Sequence, residues 1–221
     1  MKKILIIGAS GGIGQALVTA CKARGDDVVG LSRSEDGFDI TAEHIVSRHL
    51  EKFTCPFDKV IVATGALEIE GAAPEKTIKA VTEKAMMDQF ALNALGPALV
   101  LRHAADLLPR DRPSVFAVLS ARVGSIGDNR IGGWVSYRSA KAAVNQIVHT
   151  TSIELSRTHK QSVCVALHPG TVATSFTEKY LGRHPSVPPE EAAENLLNVI
   201  DGLTPAQTGQ FFDWAGKAVP W

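Results

Sequence analysis

The chain has 221 residues with 23 Lys and Arg against 23 Asp and Glu, so its formal charge is zero. That balance argues against a nucleic-acid partner held by bulk electrostatics and against a basic membrane-surface protein. Hydrophobic residues at 45% and charged residues at 21% leave disorder without a compositional basis, and the length suits one domain, 1–221, of about 17 Å radius of gyration.

The start, Met1-Lys2-Lys3 before Ile4-Leu5-Ile6-Ile7, is too short an apolar run for a signal peptide or membrane span. Cys21, Cys55 and Cys164 are odd in number and far apart, which fits a reducing, cytoplasmic setting and no metal site. His44 and His49 are five apart, a poor match to one helical face, and no Cys or acid cluster makes them ligands.

In chain order, Lys3 to Ile7 reads as a buried strand and Gly12 to Arg24 as a helix with Ile13, Ala16, Leu17 and Ala20 on one face. Asp27 to Leu31 is a second strand. Thr41 is expected to cap a helix reaching about Phe53, and Lys59 to Ala63 is a third strand. Helical periodicity runs from about Thr77 to Leu108 with an expected break at Gly96-Pro97. Val115 to Leu119 is a strand, Val135 to Thr158 a long helix, and Ser162 to Leu167 another strand. Pro188-Pro189 opens a last helix to about Leu203, and Gly209 to Asp213 closes as a strand. Strands alternating with helices imply a parallel sheet covered on both faces, a doubly wound α/β fold of Rossmann type. Residues 175–189 lack periodicity and read as a substrate lid.

The most informative segment is Ile7-Gly8-Ala9-Ser10-Gly11-Gly12-Ile13-Gly14, between the first strand and the first helix. Glycines there let the backbone approach a pyrophosphate, whose charge is met by the free N–H groups at the helix start. The spacing is Gly8-x-x-x-Gly12-x-Gly14, with no Lys-Ser or Lys-Thr behind it as a P-loop requires. A tight turn that uses glycine only for sterics is the plainer alternative.

This spacing resembles the short-chain dehydrogenase/reductase family, and further matches follow in the family's order. Asn93 in Phe90-Ala91-Leu92-Asn93-Ala94-Leu95-Gly96 resembles the active-site Asn segment, Tyr137-Arg138-Ser139-Ala140-Lys141 the Y-x-x-x-K motif, and Pro169-Gly170-Thr171-Val172 the P-G loop. The resemblance spans essentially the whole chain. Arg122-Val123-Gly124-Ser125-Ile126 and the ending from Phe211 to Trp221 look most like the C-factor-like branch.

Tyr137 and Lys141 are four apart, so on a helix they project from one face. A free phenol is ionised only about one part in a thousand at pH 7. An ammonium about 5 Å away at an effective dielectric of about 20 contributes roughly 3 kcal/mol, enough to lower the phenol pKa by about two. A helix-surface pair is the plainer alternative. The resemblance implies that Tyr137 exchanges a proton with a substrate hydroxyl or carbonyl while hydride moves to or from nicotinamide. It also implies that Lys141 holds the nicotinamide ribose and that Asn93 supports a water-linked proton path.

One position departs from the family. Where its second Ser of a Ser-Ser pair would donate to the substrate oxygen, the chain reads Ser120-Ala121, and a methyl cannot donate. Ser125, or Ser120 if the strand bends, are the stand-ins. Loss of one such donor typically costs about a hundredfold in turnover.

Leu31-Ser32-Arg33-Ser34 ends the second strand, with Ser32 where NAD binders carry an acid and Arg33 beside it, which favours NADP over NAD. The alternatives are Glu35 or Asp36 at the ribose, or Arg33 as a solvated charge. By resemblance, Asp39-Ile40 lies beside the adenine, Ala63-Thr64-Gly65 stands where the family has N-N-A-G, and Pro169, Gly170, Thr171, Val172 and Thr174 serve the carboxamide and diphosphate. Trp134, Phe176 and Tyr180 flank the inferred substrate cleft, with core or lid packing as the default, while Lys179 and Arg183 are expected to face solvent. The sequence thus points to an NADP-preferring oxidoreductase acting on a small carbonyl or alcohol, without nucleic-acid or membrane partners. The helices around residues 85–101 and 135–158 resemble the family's pairing surfaces for a homodimer or homotetramer, although a self-contained monomer would carry apolar faces there as well. The rival is a coenzyme-binding signalling or interaction protein with weak or no turnover.

Overall fold

The structure, a computed structural model, describes residues 1–174, 177 and 185–221. The expected lid, with Phe176, Lys179, Tyr180 and Arg183, falls outside the described residues except for Thr177 and residues 185–189.

Six strands form one parallel sheet: β1 (Lys3–Ile7), β2 (Asp27–Leu31), β3 (Lys59–Val62), β4 (Ser114–Leu119), β5 (Ser162–His168) and β6 (Phe211–Asp213), in the order β2-β1-β3-β4-β5-β6. Their runs are apolar on both sides because both faces are covered. Leu5, Ile7, Val60, Val62, Phe116 and Val118 point to one face, where α3 (Glu43–Leu50), α5 (Gly96–Leu101) and α7 (Val135–Leu155) supply Val46, Val100, Val144 and Val148. The alternate residues Ile4, Ile6, Ile61, Ala117 and Leu119 point to the other, beneath α1 (Gly12–Ala23) and α8 (Pro189–Gly202). The chain leaves β1 toward β2 and returns on its far side as β3, so strand order reverses between β1 and β3. In open α/β sheets such a reversal places the ligand crevice at the carboxyl ends of the strands.

Several expected boundaries differ, among them the end of α3, which comes at Leu50 before the expected Phe53. The cap of α3 is Ala42, and Thr41 instead donates its N–H and hydroxyl to the Asp39 carboxylate at 2.9 and 2.7 Å, a local turn that outcompetes the helix. Helix α2 (Arg33–Asp36) is a single turn capped by Ser32. The stretch from Thr77 is a short 3₁₀ turn, then α4 (Glu83–Phe90), a π segment over Ala91–Leu95, α5, and after His103 the short α6 (Ala104–Leu107). Gly96-Pro97 does not break it. Pro97 has no N–H to give the Asn93 carbonyl, and the ladder widens instead: the Gly96 N–H reaches back five residues to Ala91.

At the opposite end of the sheet an ion network joins β1, β3, α1 and α8. The buried Lys59 amine donates to Asp201 at 2.6 Å, and Lys2 and Arg24 reach the same carboxylate at 3.1 and 3.0 Å. Burial would raise the Asp201 carboxyl, but hydrogen bonds and charge from Lys59 and Lys2 hold it below the usual carboxylate range. A lowered carboxyl stabilises the fold above its unfolded pKa of about 4 and loses that contribution as pH falls through its folded value. Asp201→Asn leaves the Lys59 ammonium without its carboxylate and is expected to cost about 1–3 kcal/mol at pH 7, below the figure for a fully buried pair because Asp201 is partly exposed. Urea unfolding at pH 7 and pH 3 measures this: the gap between wild type and variant narrows at the lower pH.

Candidate active site

The turn after β1 is closed by contacts that admit no side chain. Gly8 adopts a left-handed φ of 89°, its N–H donates to Leu31 O at 2.8 Å, and the Gly11 N–H donates to Gly8 O at 3.1 Å. A Cβ on Gly14 would lie 2.0 Å from Gly8 O, and one on Gly12 would lie 2.6 Å from Thr174 Cγ2. Ser10 is exposed at the tip, while Ile13 turns inward against the core beneath α1. Gly11 gives α1 no side-chain cap, so the amides of its first turn have no side-chain acceptor from that position.

The turns after β1 and β3 touch: a Cβ on Gly8 would lie 3.0 Å from both Ala63 C and Thr64 Cγ2. The Ala63 N–H donates to Ile7 O, and Thr64 Oγ1 is buried without a partner among the described residues. At the end of β2, Ser32 is buried. Its N–H and hydroxyl donate to Asp36 at 2.7 and 3.3 Å, and Arg33 stands exposed beside it. The Asp36 carboxylate is thus drawn onto its own turn. Asp39 is engaged by Thr41, whose side-chain and backbone hydrogen bonds hold its carboxyl below the usual range, and Ile40 is buried against Gly96.

Tyr137, Lys141 and Asn93 are buried at 6%, 3% and 0% exposure. The Lys141 amine donates to Leu119 O at 3.1 Å and lies 5.8 Å from the Tyr137 ring centre. Gly65 stands between the other two, since a Cβ there would lie 2.8 Å from Asn93 Oδ1 and 3.4 Å from Lys141 Nζ. Asn93 Nδ2 donates to Gln89 Oε1 at 2.7 Å and to Ala66 O at 3.0 Å, which fixes its carboxamide. Burial dominates the proton affinities here: it pushes the Lys141 amine down to about 8 and the Tyr137 phenol up. The lowered phenol expected from a nearby ammonium is therefore not found. Both groups leave water, and desolvation penalises the charged form of each.

Ser120 is turned from this cluster and donates to Asn145 Oδ1 at 2.6 Å, as strand alternation dictates. Ala121 follows without a hydroxyl. Ser125 is buried, and its Oγ accepts the Asp128 N–H at 3.0 Å. It directly follows Gly124, whose Cβ would lie 2.8 Å from Lys141 Cβ, so this turn presses on α7 at the lysine.

At the end of β5, Pro169 leads to Gly170, over which the Trp214 ring packs. Thr171 is half-buried, Val172 bridges to Val187, and Thr174 closes on Gly12. The structure thus brings the glycine turn, residues 63–65, Asn93, Tyr137, Lys141 and residues 171–174 to the carboxyl end of the sheet, with Arg33 and Asp39 on its β2 side. Sequence reading missed Gln89, whose four-residue spacing from Asn93 was the available signal. It also missed His168, half-buried with Nδ1 unpartnered among the described residues, whose pKa burial pushes down to about 4. Among the described residues no cluster of three His, Cys, Asp or Glu could hold a metal ion, and no helix is long and apolar enough to cross a membrane.

The residues present fit a dinucleotide: a turn stripped of side chains at Gly8, Gly12 and Gly14, helix amides without a side-chain cap, and an orphaned Thr64 hydroxyl beside them.

The short chain dehydrogenase family matches residues 2–183. The chain is 30% identical over 234 residues, with all of both chains covered, to 1-hydroxy-2-glutathionyl-2-methyl-3-butene dehydrogenase of Rhodococcus sp. (strain AD45). It is 38% identical over 139 residues to C-signal of Myxococcus xanthus, covering 62% of this chain and 78% of that one. The fold is shared with an NADPH-bound carbonyl reductase from chicken fatty liver, with a TM-score of 0.84 at 21% identity and coverage of 100% and 94%. With this site on this sheet and these relatives, the chain belongs to the short chain dehydrogenase family, close to its C-factor-like branch.

Proposed function

We propose that the protein is an NADP-preferring oxidoreductase that interconverts a carbonyl and a secondary alcohol, with Tyr137, Lys141 and Asn93 as its catalytic residues. The observation that carries this reading is the convergence of the Lys141 amine and the Asn93 carboxamide on Gly65, beside Tyr137 and the glycine turn. The whole-length Rhodococcus relative, named as the dehydrogenase of a hydroxy compound, and the NADPH-bound carbonyl reductase of the same fold support the chemical class. One coenzyme-binding domain, with specificity set in residues 175–189, completes the reading. The free Cys21, Cys55 and Cys164 suit a cytoplasmic setting.

Bound nicotinamide would supply the hydride that adds to the carbonyl carbon, while the carbonyl oxygen takes a proton from the Tyr137 hydroxyl, leaving alcohol, oxidised coenzyme and phenolate. Burial keeps Tyr137 protonated at neutral pH, the state that donates to a carbonyl oxygen. Lys141 then faces the phenolate that forms, and in a low-dielectric pocket its charge stabilises that anion most when the proton leaves. Asn93, held by Gln89, lines the path by which the proton returns. Gly8, Ser10, Gly12, Ile13 and Gly14 would hold the pyrophosphate, and Ser32 and Arg33 the 2′-phosphate. Ser125 is our candidate for the donor missing at Ala121: its oxygen already accepts a bond, and its proton is the part left to give.

A second reading is favoured by Ala121 and by the likeness to C-signal: a coenzyme-bound interaction protein with little turnover. Assays with NADPH over a panel of aldehydes and ketones, beside fluorescence titration of coenzyme, separate the two. Tyr137→Phe is expected to lower kcat by about a hundredfold or more, with the coenzyme Kd within about threefold of wild type. Tight coenzyme binding by wild type without turnover on any substrate favours the second reading. Arg33→Ala is expected to weaken NADPH by about tenfold or more and leave NADH unchanged. Equal effects on both coenzymes would remove Arg33 from the 2′-phosphate.

A further inference from the structure

Glu75 lies in the loop between β3 and α4 and is buried at 7% exposure. Both of its carboxylate oxygens go to one residue of the catalytic helix: the Ser136 N–H donates to Oε2 at 3.2 Å, and the Ser136 hydroxyl donates to Oε1. The Glu75 carbonyl accepts the N–H of Trp134 as well. Helix α7 has need of this. Its cap residue, Trp134, is left-handed at φ 52° and ψ 41°, gives no side-chain bond to the helix, and no acid lies in the first turn. A buried helix start needs an acceptor for its N–H groups and gains from negative charge, and here both come from a residue 61 positions away.

The residue after Ser136 is Tyr137. Glu75, Ser136, Tyr137, Leu67 and Gln89 line one small cavity. Within this lining Gln89 donates to Leu67 O at 2.9 Å and accepts from Asn93 at 2.7 Å. The loop after β3 is therefore tied at one end to Asn93 and at the other to the turn that carries the phenol.

We propose that Glu75 is a positioning residue for Tyr137: its carboxylate, capping α7 from a remote loop, fixes the first helical turn and with it the placement of the phenol. This rests on the reading of Tyr137 as proton donor. The rest of α7, anchored on the sheet through Val144 and Val148, is out of the clamp's reach and holds without it.

The test compares Glu75→Ala with Glu75→Gln, by amide hydrogen exchange and by kinetics with NADPH and carbonyl substrates. In Glu75→Ala the Ser136 and Tyr137 amides are expected to exchange about tenfold faster, with those around Val144 to Val148 unchanged. Its kcat is expected to fall by about tenfold, while coenzyme Kd and substrate KM move less than about threefold. Glu75→Gln keeps an oxygen for the Ser136 N–H and is expected to recover most of kcat. Unchanged exchange and kcat in Glu75→Ala, or kcat and coenzyme affinity falling together, would overturn the proposal. Should Glu75→Ala fail to fold, Ser136→Ala, which removes one of the two bonds, carries the same comparison. If wild type turns over no substrate, the oxidoreductase reading fails separately, and exchange at Ser136 alone decides the clamp.

Discussion

A single contact without room for a methyl group shapes the functional edge of this molecule: the vacant Cβ position of Gly14 lies 2.0 Å from the carbonyl oxygen of Gly8. Because α1 can press that closely on the turn it leaves, its first amides come to rest at the carboxyl end of β1, beside the point where strand order reverses. The turn then meets residues 63–64 on one side and Thr174 on the other, so loops from two distant parts of the chain settle against it. A side chain at Gly14 would push α1 off the sheet edge and open all of these contacts at once.

The second constraint is dielectric. Lys141 is carried by a helix into a place where its ammonium is disfavoured, and one backbone carbonyl, Leu119 O, answers it. Such a placement costs stability that the extensive apolar sheet can sustain. In return the charge is not diluted by water, and a nearby oxygen that gains negative charge feels it strongly. The same burial disfavours the phenolate, and the proposed role of Tyr137 as proton donor draws on that protonated state. At the other end of the sheet the buried Lys59 has a carboxylate instead of a carbonyl, and there the interaction serves the fold.

What the sequence disclosed follows from which forces are local. The strands were legible because sheet burial on both faces writes continuous apolar runs such as Lys3–Ile7. The Tyr137 and Lys141 pairing was legible because helical spacing alone puts them on one face. Thr41 misled because its side chain had a nearer partner in Asp39. Gly96-Pro97 misled because a π segment absorbed the missing donor without ending the helix. The direction in which the Tyr137 phenol is shifted is not legible in spacing, because spacing speaks only for pairwise charge, whereas burial is a property of everything packed around it. Glu75 was invisible for a related reason: no local pattern announces a carboxylate that caps a helix 61 residues later.

Calorimetric titration of NADPH into folded wild-type protein and into Gly14→Ala, each checked for native secondary structure, asks whether the closed glycine turn is what grips the coenzyme. Saturable uptake by wild type and an affinity at least about tenfold weaker in the variant are expected. Absence of uptake by well-folded wild type, or equal affinity in the two proteins, would contradict this role of the turn.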